Sequence, residues 1–377
     1  MDFSFEEEEQ AVAELARKIL EDQATNDRKK QLEASGEPYD AALWQALAQA
    51  NLLGTAIPEA YGGSDLGFLS LCLLLQEVGR SVAPVPVFPS LVLGALPLAQ
   101  FGSDAQKQDG LPGVARGERI LTAALSEVES SDPLAPRTRV EPDGDGYRLT
   151  GTKTQVPYAE QAAAILVPAA FGDGSIGLFY VDPRGEGVTL TAQKTSDGQP
   201  HGQLELAGVR VGEDARLAAS QDGAEALRWL VERAVAARCV MQLGVTERAL
   251  EMTAEYSRER IQFDRPIGSF QAVHQRAADA YINVEAVRLT AQEAAWRLSQ
   301  GLHAEDHVRV AKFWAAEGGQ FAAYACQHLH GGIGIDTDYP LHRHFTWAIQ
   351  IEHELGSAKH QLERLGRAIA TTGLPAA

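Results

Sequence analysis

Two arginines, two aromatic rings and two amides fall within one short stretch, Arg260-Ile261-Gln262-Phe263-Asp264-Arg265-Pro266-Ile267-Gly268-Ser269-Phe270-Gln271. Pro266 and Gly268 break it, so it reads as a polar turn between helices. Further on, Gln327-His328-Leu329-His330-Gly331-Gly332-Ile333-Gly334 reads as a Gly-rich turn at the end of a helix. A fixed positive charge, amide side chains and a backbone free of Cβ atoms are what a phosphate-bearing cofactor needs. Taken singly, each stretch is also an ordinary interhelical loop punctuated by Gly and Pro. Their order and separation make the chemical reading the stronger one.

Other chemistries fit less well. Nine of the ten histidines follow residue 270. His328 and His330, like His342 and His344, are two apart, and on a helix such pairs point away from each other. His353-Glu354 opens a His-Glu-x-x-His zinc pattern, but Ser357 stands at its second histidine. No metal site is expected. A Rossmann fingerprint fails as well, because Gly332-Ile333-Gly334 has no third glycine and no strand before it.

Composition narrows the class. The chain of 377 residues is 45% hydrophobic and 22% charged, as in globular proteins, and is long enough for two or three packed units. A net charge of −18 argues against nucleic acid and against an anionic membrane surface. It leaves room for an anionic small molecule in a local basic pocket. Cys72, Cys239 and Cys326 lie in apolar stretches without a Cys-x-x-Cys, which predicts free, buried thiols. The start, Met1-Asp2-Phe3-Ser4-Phe5 and four glutamates, has no basic n-region. No apolar run approaches the ~20 residues of a membrane span. A cytoplasmic protein is expected.

The elements that must position the two turns follow from periodicity. Residues 1–118 read as helical, with apolar stripes over 6–22 and 39–53 and an all-round apolar stretch at 68–78. Residues 119–217 change character. Short β-branched runs alternate there with Gly, Asp and Pro, and Asp143-Gly144-Asp145-Gly146 is a hairpin signal, so an antiparallel barrel or sandwich is expected. Residues 218–377 return to long helices, over 224–258, 276–298, 305–328 and 342–370. The stripe Ala277, Tyr281, Val284, Val287, Ala291, Ala294, Leu298 suits close packing in a bundle.

The pattern Arg-x-x-Phe, Pro-Ile, Phe-Gln and later His-Gly-Gly-x-Gly resembles the acyl-CoA dehydrogenase family, over essentially the whole chain. Gln327–Gly334 together with Asp338-Tyr339-Pro340-Leu341-His342-Arg343 looks most like its actinobacterial, steroid-catabolic branch. The resemblance implies a mainly α fold with a β insert: an N-terminal helical domain (1–118), a middle β-barrel (119–217) and a C-terminal four-helix bundle (218–377). It implies FAD as cofactor, an acyl-CoA thioester as substrate, electron transfer flavoprotein as acceptor, and a homo- or hetero-tetramer. In the family's reaction a carboxylate takes the α-proton of the thioester and the β-hydrogen leaves as hydride to the flavin. Such a base works best when burial raises its pKa.

Residue by residue, the resemblance places Arg260, Phe263 and Gln271 against the FAD of a neighbouring subunit, Arg260 at the pyrophosphate. Gly331 and Gly332 would receive the adenine end, and His328 stands where the family commonly has Gln. The competing reading of Arg260 is an ion pair with Glu255 or Glu259. Other positions depart from the pattern. Asp264 replaces a usual Gly, Gln155 a stacking aromatic and Pro157 a hydroxyl residue, and the 125–132 loop lacks its Gly. At the family's base position after Tyr339-Pro340 stands Leu355, before Gly356. Glu354 is its neighbour, and a single helical step turns a side chain by ~100°. The alternative base position, on the helix before Arg260, falls near Ala234, with Glu232 two residues away. Glu354 and Glu232 are therefore the candidate catalytic residues.

Three readings remain open: an FAD-dependent dehydrogenase of a bulky or steroid-derived acyl-CoA, a half-site subunit that completes such an enzyme, and a flavin oxidase on the same fold.

Overall fold

The computed structural model describes residues 5–130, 132–217 and 222–373. Ser131 of the 125–132 loop and residue 218, where the third segment starts, fall outside them. The first part is helical: Glu7–Gln23 (α1), Asn26–Ser35 (α2), Ala41–Gln49 (α3), Gly67–Ser81 (α4), Leu96–Phe101 (α5) and Asp104–Ala115 (α6). A buried π-helical segment, Phe88–Ala95, precedes α5. Local chemistry sets the starts. Asp40 caps α3 by accepting from Leu43 N at 3.1 Å, and Ser103 and Gln106 form a reciprocal capping box on α6. α3 turns Leu43, Trp44 and Leu47 inward, and the Trp44 indole donates to Gly117 O at 2.9 Å. As its composition predicts, α4 is buried almost all round.

The middle of the chain forms Leu121–Ala123 (β1), Arg139–Asp143 (β2), Gly146–Pro157 (β3), Ala164–Ala170 (β4), Ile176–Val181 (β5), Val188–Lys194 (β6), Pro200–Gly212 (β7) and Arg216–Leu217 (β8). They make one eight-stranded sheet in the order β6-β7-β3-β2-β4-β5-β8, with β1 beside β4. The hairpin signal is realised, since Asp143 pairs with Gly146 across a two-residue turn in which Gly144 has φ +66°. Pairing is antiparallel except where β1 and a single residue of β2 run parallel to β4. Alternate residues of these strands, among them Val140, Leu149, Ile165, Val167, Phe179, Leu204 and Leu206, share one buried core.

The chain then forms Gly223–Glu259 (α7), the short strands Ile261–Gln262 (β9) and Arg265–Pro266 (β10), Gln271–Ser299 (α8), Glu305–His330 (α9), Leu341–His353 (α10) and Ala358–Thr372 (α11). One expectation is corrected here. Residues 342–370 are two helices, because Leu355 (φ +56°) and Gly356 (φ +103°) leave the helical region. A second concerns Tyr281, which the apolar stripe of α8 placed in the core and which is 57% exposed.

Packing divides the chain into two compact units. Residues 1–19, 32–71 and 84–234 make one, and 20–31, 72–83 and 235–377 the other. Within the second, the end of α4 crosses α7 at backbone contact. A Cβ on Gly79 would lie 2.3 Å from Met241 O, and one on Gly244 2.0 Å from Gln76 O, so only glycine fits at either crossing point. The three cysteines are free and buried. Among the described residues no helix is long and apolar enough to cross a membrane, and no group of His, Cys, Asp or Glu could hold a metal ion.

Candidate functional site

α7 ends at Glu259, and the nine residues from Arg258 to Pro266 are all exposed. β9 and β10 pair as a tight hairpin, Gln262 opposite Arg265. Its two-residue turn is Phe263 (φ +54°) and Asp264 (φ +62°), and the Phe263 side chain stands 86% exposed at the tip. Both φ values lie in the left-handed region, which a two-residue hairpin turn requires and which non-glycine residues resist. Arg260 is exposed and makes no ion pair among the described residues. Glu255 instead pairs with Arg248 at 3.7 Å. The Arg260 carbonyl accepts from Ile267 N at 2.8 Å, which anchors the base of the hairpin. Gln271 is exposed at the first position of α8, whose cap residue, Phe270, offers no side-chain hydrogen bond to the first N–H groups.

The second turn lies at the C-terminal end of α9. Gly331 adopts φ +65°, and a Cβ on Gly331 or Gly332 would meet no atom within 4 Å. Backbone is therefore open to a close neighbour on both residues. His328 is exposed. Gln327 is tied down: its amide, oriented to satisfy both partners, donates to Gly334 O at 3.0 Å and accepts from Ile335 N at 3.1 Å. This staple fixes the turn and leaves His328 as the outward polar group. The sequence held both residues in view without saying which one faces out.

Three rings join the two turns. Tyr256 lies one helical turn before Arg260, and its ring stacks on His330 at 4.5 Å. Tyr339 packs on both, 6.5 Å from Tyr256 and 5.3 Å from His330. The structure thus brings Arg260, Phe263 and Gln271 to one exposed corner, and links that corner to Gly331, Gly332 and His328 through a buried imidazole. An exposed guanidinium without a carboxylate, a free helix start and an open Gly-Gly turn fit a phosphate-bearing nucleotide such as FAD.

Glu354 is placed differently. Its Oε2 lies 2.6 Å from Arg238 Nε, with both side chains largely buried, and its Oε1 accepts from Gln350 Nε2 at 3.0 Å. Beneath it, the fully buried Lys312 donates to the carbonyls of Ile351 and Glu352, in the last turn of α10. Burial lowers the Lys312 pKa to about 8, against the pull of Glu354 and Glu352. Leu355 occupies the left-handed turn itself, its carbonyl accepting from Gln361 Nε2 at 3.3 Å. Glu232 is half-buried on α7, in the other compact unit. Arg238 and Lys312 are the residues that sequence reasoning missed, since a lone cation inside a helical pattern carries no local signal of its distant partner.

In the sheet unit, Thr154 N donates to Ser126 O at 3.0 Å, and Lys153 Nζ lies 2.7 Å from Glu127 Oε1, so the 125–132 loop is bonded to β3. Gln155 is exposed with φ +52°, its N–H donating to Gln193 Oε1 at 2.8 Å. It lies where β3 slips register against β7, a bulge that re-aims the side chain.

Comparison with known proteins agrees with this geometry. The family model described as acyl-CoA dehydrogenase, C-terminal domain, matches residues 221–370, and that described as acyl-CoA dehydrogenase, N-terminal domain, matches residues 6–118. The chain is 41% identical to acyl-CoA dehydrogenase FadE27 of Mycobacterium tuberculosis, over 99% of this chain and 100% of that one. It is similar to a solved variant of the Tcur3481-Tcur3483 steroid ACAD, with 45% identity, a TM-score of 0.90, and 97% of this chain and 98% of that one covered. It is also similar to a chain of the ChsE4-ChsE5 complex from Mycobacterium tuberculosis, with 42% identity, a TM-score of 0.93 and all of both chains covered.

Proposed function

The chain belongs to the acyl-CoA dehydrogenase family, and from that premise we propose that it serves FAD-dependent α,β-dehydrogenation of a bulky, steroid-type acyl-CoA as the half-site subunit of a two-chain enzyme. The observation that carries this reading is the Arg238–Glu354 ion pair beside Leu355. The carboxylate nearest the family's base position is committed to a buried guanidinium, and the position itself holds an alkyl side chain. A base must reach a substrate proton within hydrogen-bond distance, and a carboxylate bound by a buried cation is poorly placed to do so. The α-proton would be taken by a carboxylate of the partner chain.

In this reading the chain's own contribution is to bind and orient. Arg260 would pair with the pyrophosphate of the FAD of a neighbouring subunit, Phe263 and Gln271 would contact the same cofactor, and His328, Gly331 and Gly332 would receive its adenine end. When bound, FAD accepts the hydride and passes electrons on to electron transfer flavoprotein. Segments 1–118, 119–217 and 218–377 act as the three domains of the subunit. The partner requirement is supported by Phe263, Tyr281, Ile282, Leu289 and Ile335, large apolar side chains left exposed in the second unit. The named heteromers, ChsE4-ChsE5 and Tcur3481-Tcur3483, make a second, homologous chain the natural partner.

Visible absorption of the chain purified alone, before and after a panel of acyl-CoAs, tests the proposal. A flavin-free or unbleached chain, and bleaching once the partner is added, is the expected result. A chain that bleaches alone carries its own base. Glu354→Gln and Glu232→Gln then identify it, since loss of a general base costs ~100-fold or more in the rate of bleaching.

A further inference from the structure

The proposed reaction makes no use of Tyr256, His330 or Tyr339, yet their rings pack together between the end of α7, just before the Arg260 hairpin, and the end of α9, just before the Gly331–Gly332 turn. His330 is the last residue of α9, and Gly331 follows it directly. Its Nδ1 lies 2.9 Å from Cys326 O, and a carbonyl oxygen can only accept, so Nδ1 carries the proton. Nε2 is then an acceptor, and the Tyr339 hydroxyl at 3.2 Å donates to it. The imidazole is held in one tautomer and one orientation by two bonds at opposite ends of the ring. Its face is covered by Tyr256, with only 17° between the ring planes. Burial lowers the His330 pKa below the ordinary imidazole range, which keeps the ring neutral, as its acceptor nitrogen requires.

A ring that only filled space would be served as well by Phe or Leu. The imidazole adds directional bonds, and directional bonds in a buried site specify orientation more than they add stability. That orientation is imposed one residue before an exposed turn, and one helical turn from an exposed guanidinium. Below the stack, Ala249, Met252, Cys326 and Leu341 form a buried cluster against which Tyr339 packs, so the base of the stack is anchored.

We propose that His330 is a positioning residue: clamped between Tyr256 and Tyr339, it sets the spacing between the Arg260 guanidinium and the Gly331–Gly332 turn, so that both engage one phosphate-bearing dinucleotide as a unit. This rests on the reading of these turns as an FAD site. Preorganised contacts lose their advantage when their spacing varies, because the ligand must then order them on binding. The two turns are therefore energetically coupled through the stack.

The test is a double-mutant cycle on FAD affinity, measured by titrating FAD into the assembled two-chain protein. His330→Phe keeps a ring in the stack and removes both hydrogen bonds. Arg260→Ala removes the guanidinium. Each is expected to weaken FAD by about tenfold, and the double variant by at least about fivefold less than the product of the two, the coupling of residues that act together. Tyr339→Phe, which deletes only one hydroxyl, is expected to reproduce part of the His330→Phe loss with an unchanged melting temperature of the FAD-free protein. A purely structural role predicts the opposite: a lowered melting temperature in both His330→Phe and Tyr339→Phe, and losses that multiply. If wild-type assembly binds FAD and the losses multiply, the positioning role is wrong and the FAD site stands. If wild-type assembly takes up no FAD at all, the FAD site is wrong and the positioning role goes with it.

Discussion

Lys153 and Glu127 form a buried ion pair, Nζ to Oε1 at 2.7 Å, that fastens the 125–132 loop to β3. Glu127 Oε1 also accepts from Thr138 N at 2.9 Å and from Thr138 Oγ1 at 2.7 Å, and Oε2 accepts from Arg137 N at 2.5 Å. One carboxylate thus gathers its own loop, the start of β2 and the middle of β3. Burial raises the Glu127 pKa, and the charge and hydrogen bond of Lys153 with the Thr138 donors more than offset this, holding it below the ordinary carboxylate range.

Removing one partner leaves the other charge buried, which costs far more than the pair contributes. Glu127→Gln and Lys153→Met are each expected to lower the stability of the chain by about 3 kcal/mol. The Glu127→Gln, Lys153→Met double variant should lose clearly less than the sum. Urea unfolding at pH 7 measures all three. A depressed carboxyl pKa contributes stability above its unfolded value that is lost as pH falls through the folded value. The wild-type protein should therefore lose part of its stability below about pH 4.5, and Glu127→Gln should lose less there. Single-variant losses below about 1 kcal/mol would show that the pair is dispensable.

The hairpin tip stores strain that a different turn sequence would relieve. Phe263 and Asp264 both sit at left-handed φ, where Asn-Gly is the favoured pair. Phe263→Asn with Asp264→Gly should raise the stability of the free chain by about 1 kcal/mol, read as a higher urea midpoint. The same change removes the exposed aromatic, so FAD retained by the assembled protein should fall severalfold. A variant that is more stable and retains its FAD would remove Phe263 from the cofactor site.

Some of this was readable in the amino-acid order and some was not. The Arg260 and Gly331 turns announce themselves because Gly, Pro and polar residues interrupt long apolar periodicity, a local signal. The Asp143–Gly146 hairpin is legible for the same reason. The break at Leu355–Gly356 was hidden. Apolar spacing continues through it, and a leucine at φ +56° is sustained by surrounding contacts that no local propensity encodes. Arg238–Glu354 and Lys153–Glu127 join residues far apart in the chain, so each partner looked like an ordinary charge on a helix, loop or strand until the fold brought the two together. The outward face of Tyr281 went unread because apolar spacing marks a stripe on a helix without saying what covers it.

His344 should make the acid limb of stability steep. It is buried on α10, with Nδ1 3.2 Å from Pro340 O and Nε2 3.1 Å from Arg80 O. Burial lowers its pKa to about 4, and the positive charges of Lys29 and Arg248 push the same way, against the two carbonyls, which favour the charged ring. The unfolded chain binds a proton near pH 6.5, and the folded chain resists it down to about pH 4. Stability is thus fully present above pH 6.5 and falls as pH drops through that window, by about 3 kcal/mol for this one group. His344→Gln keeps an amide donor for one carbonyl and removes the titration. Urea midpoints taken between pH 7 and pH 4 should fall steeply for the wild-type protein and much less for His344→Gln. Equal slopes for the two would place the acid sensitivity in other groups and show that His344 accepts its proton without opening the fold.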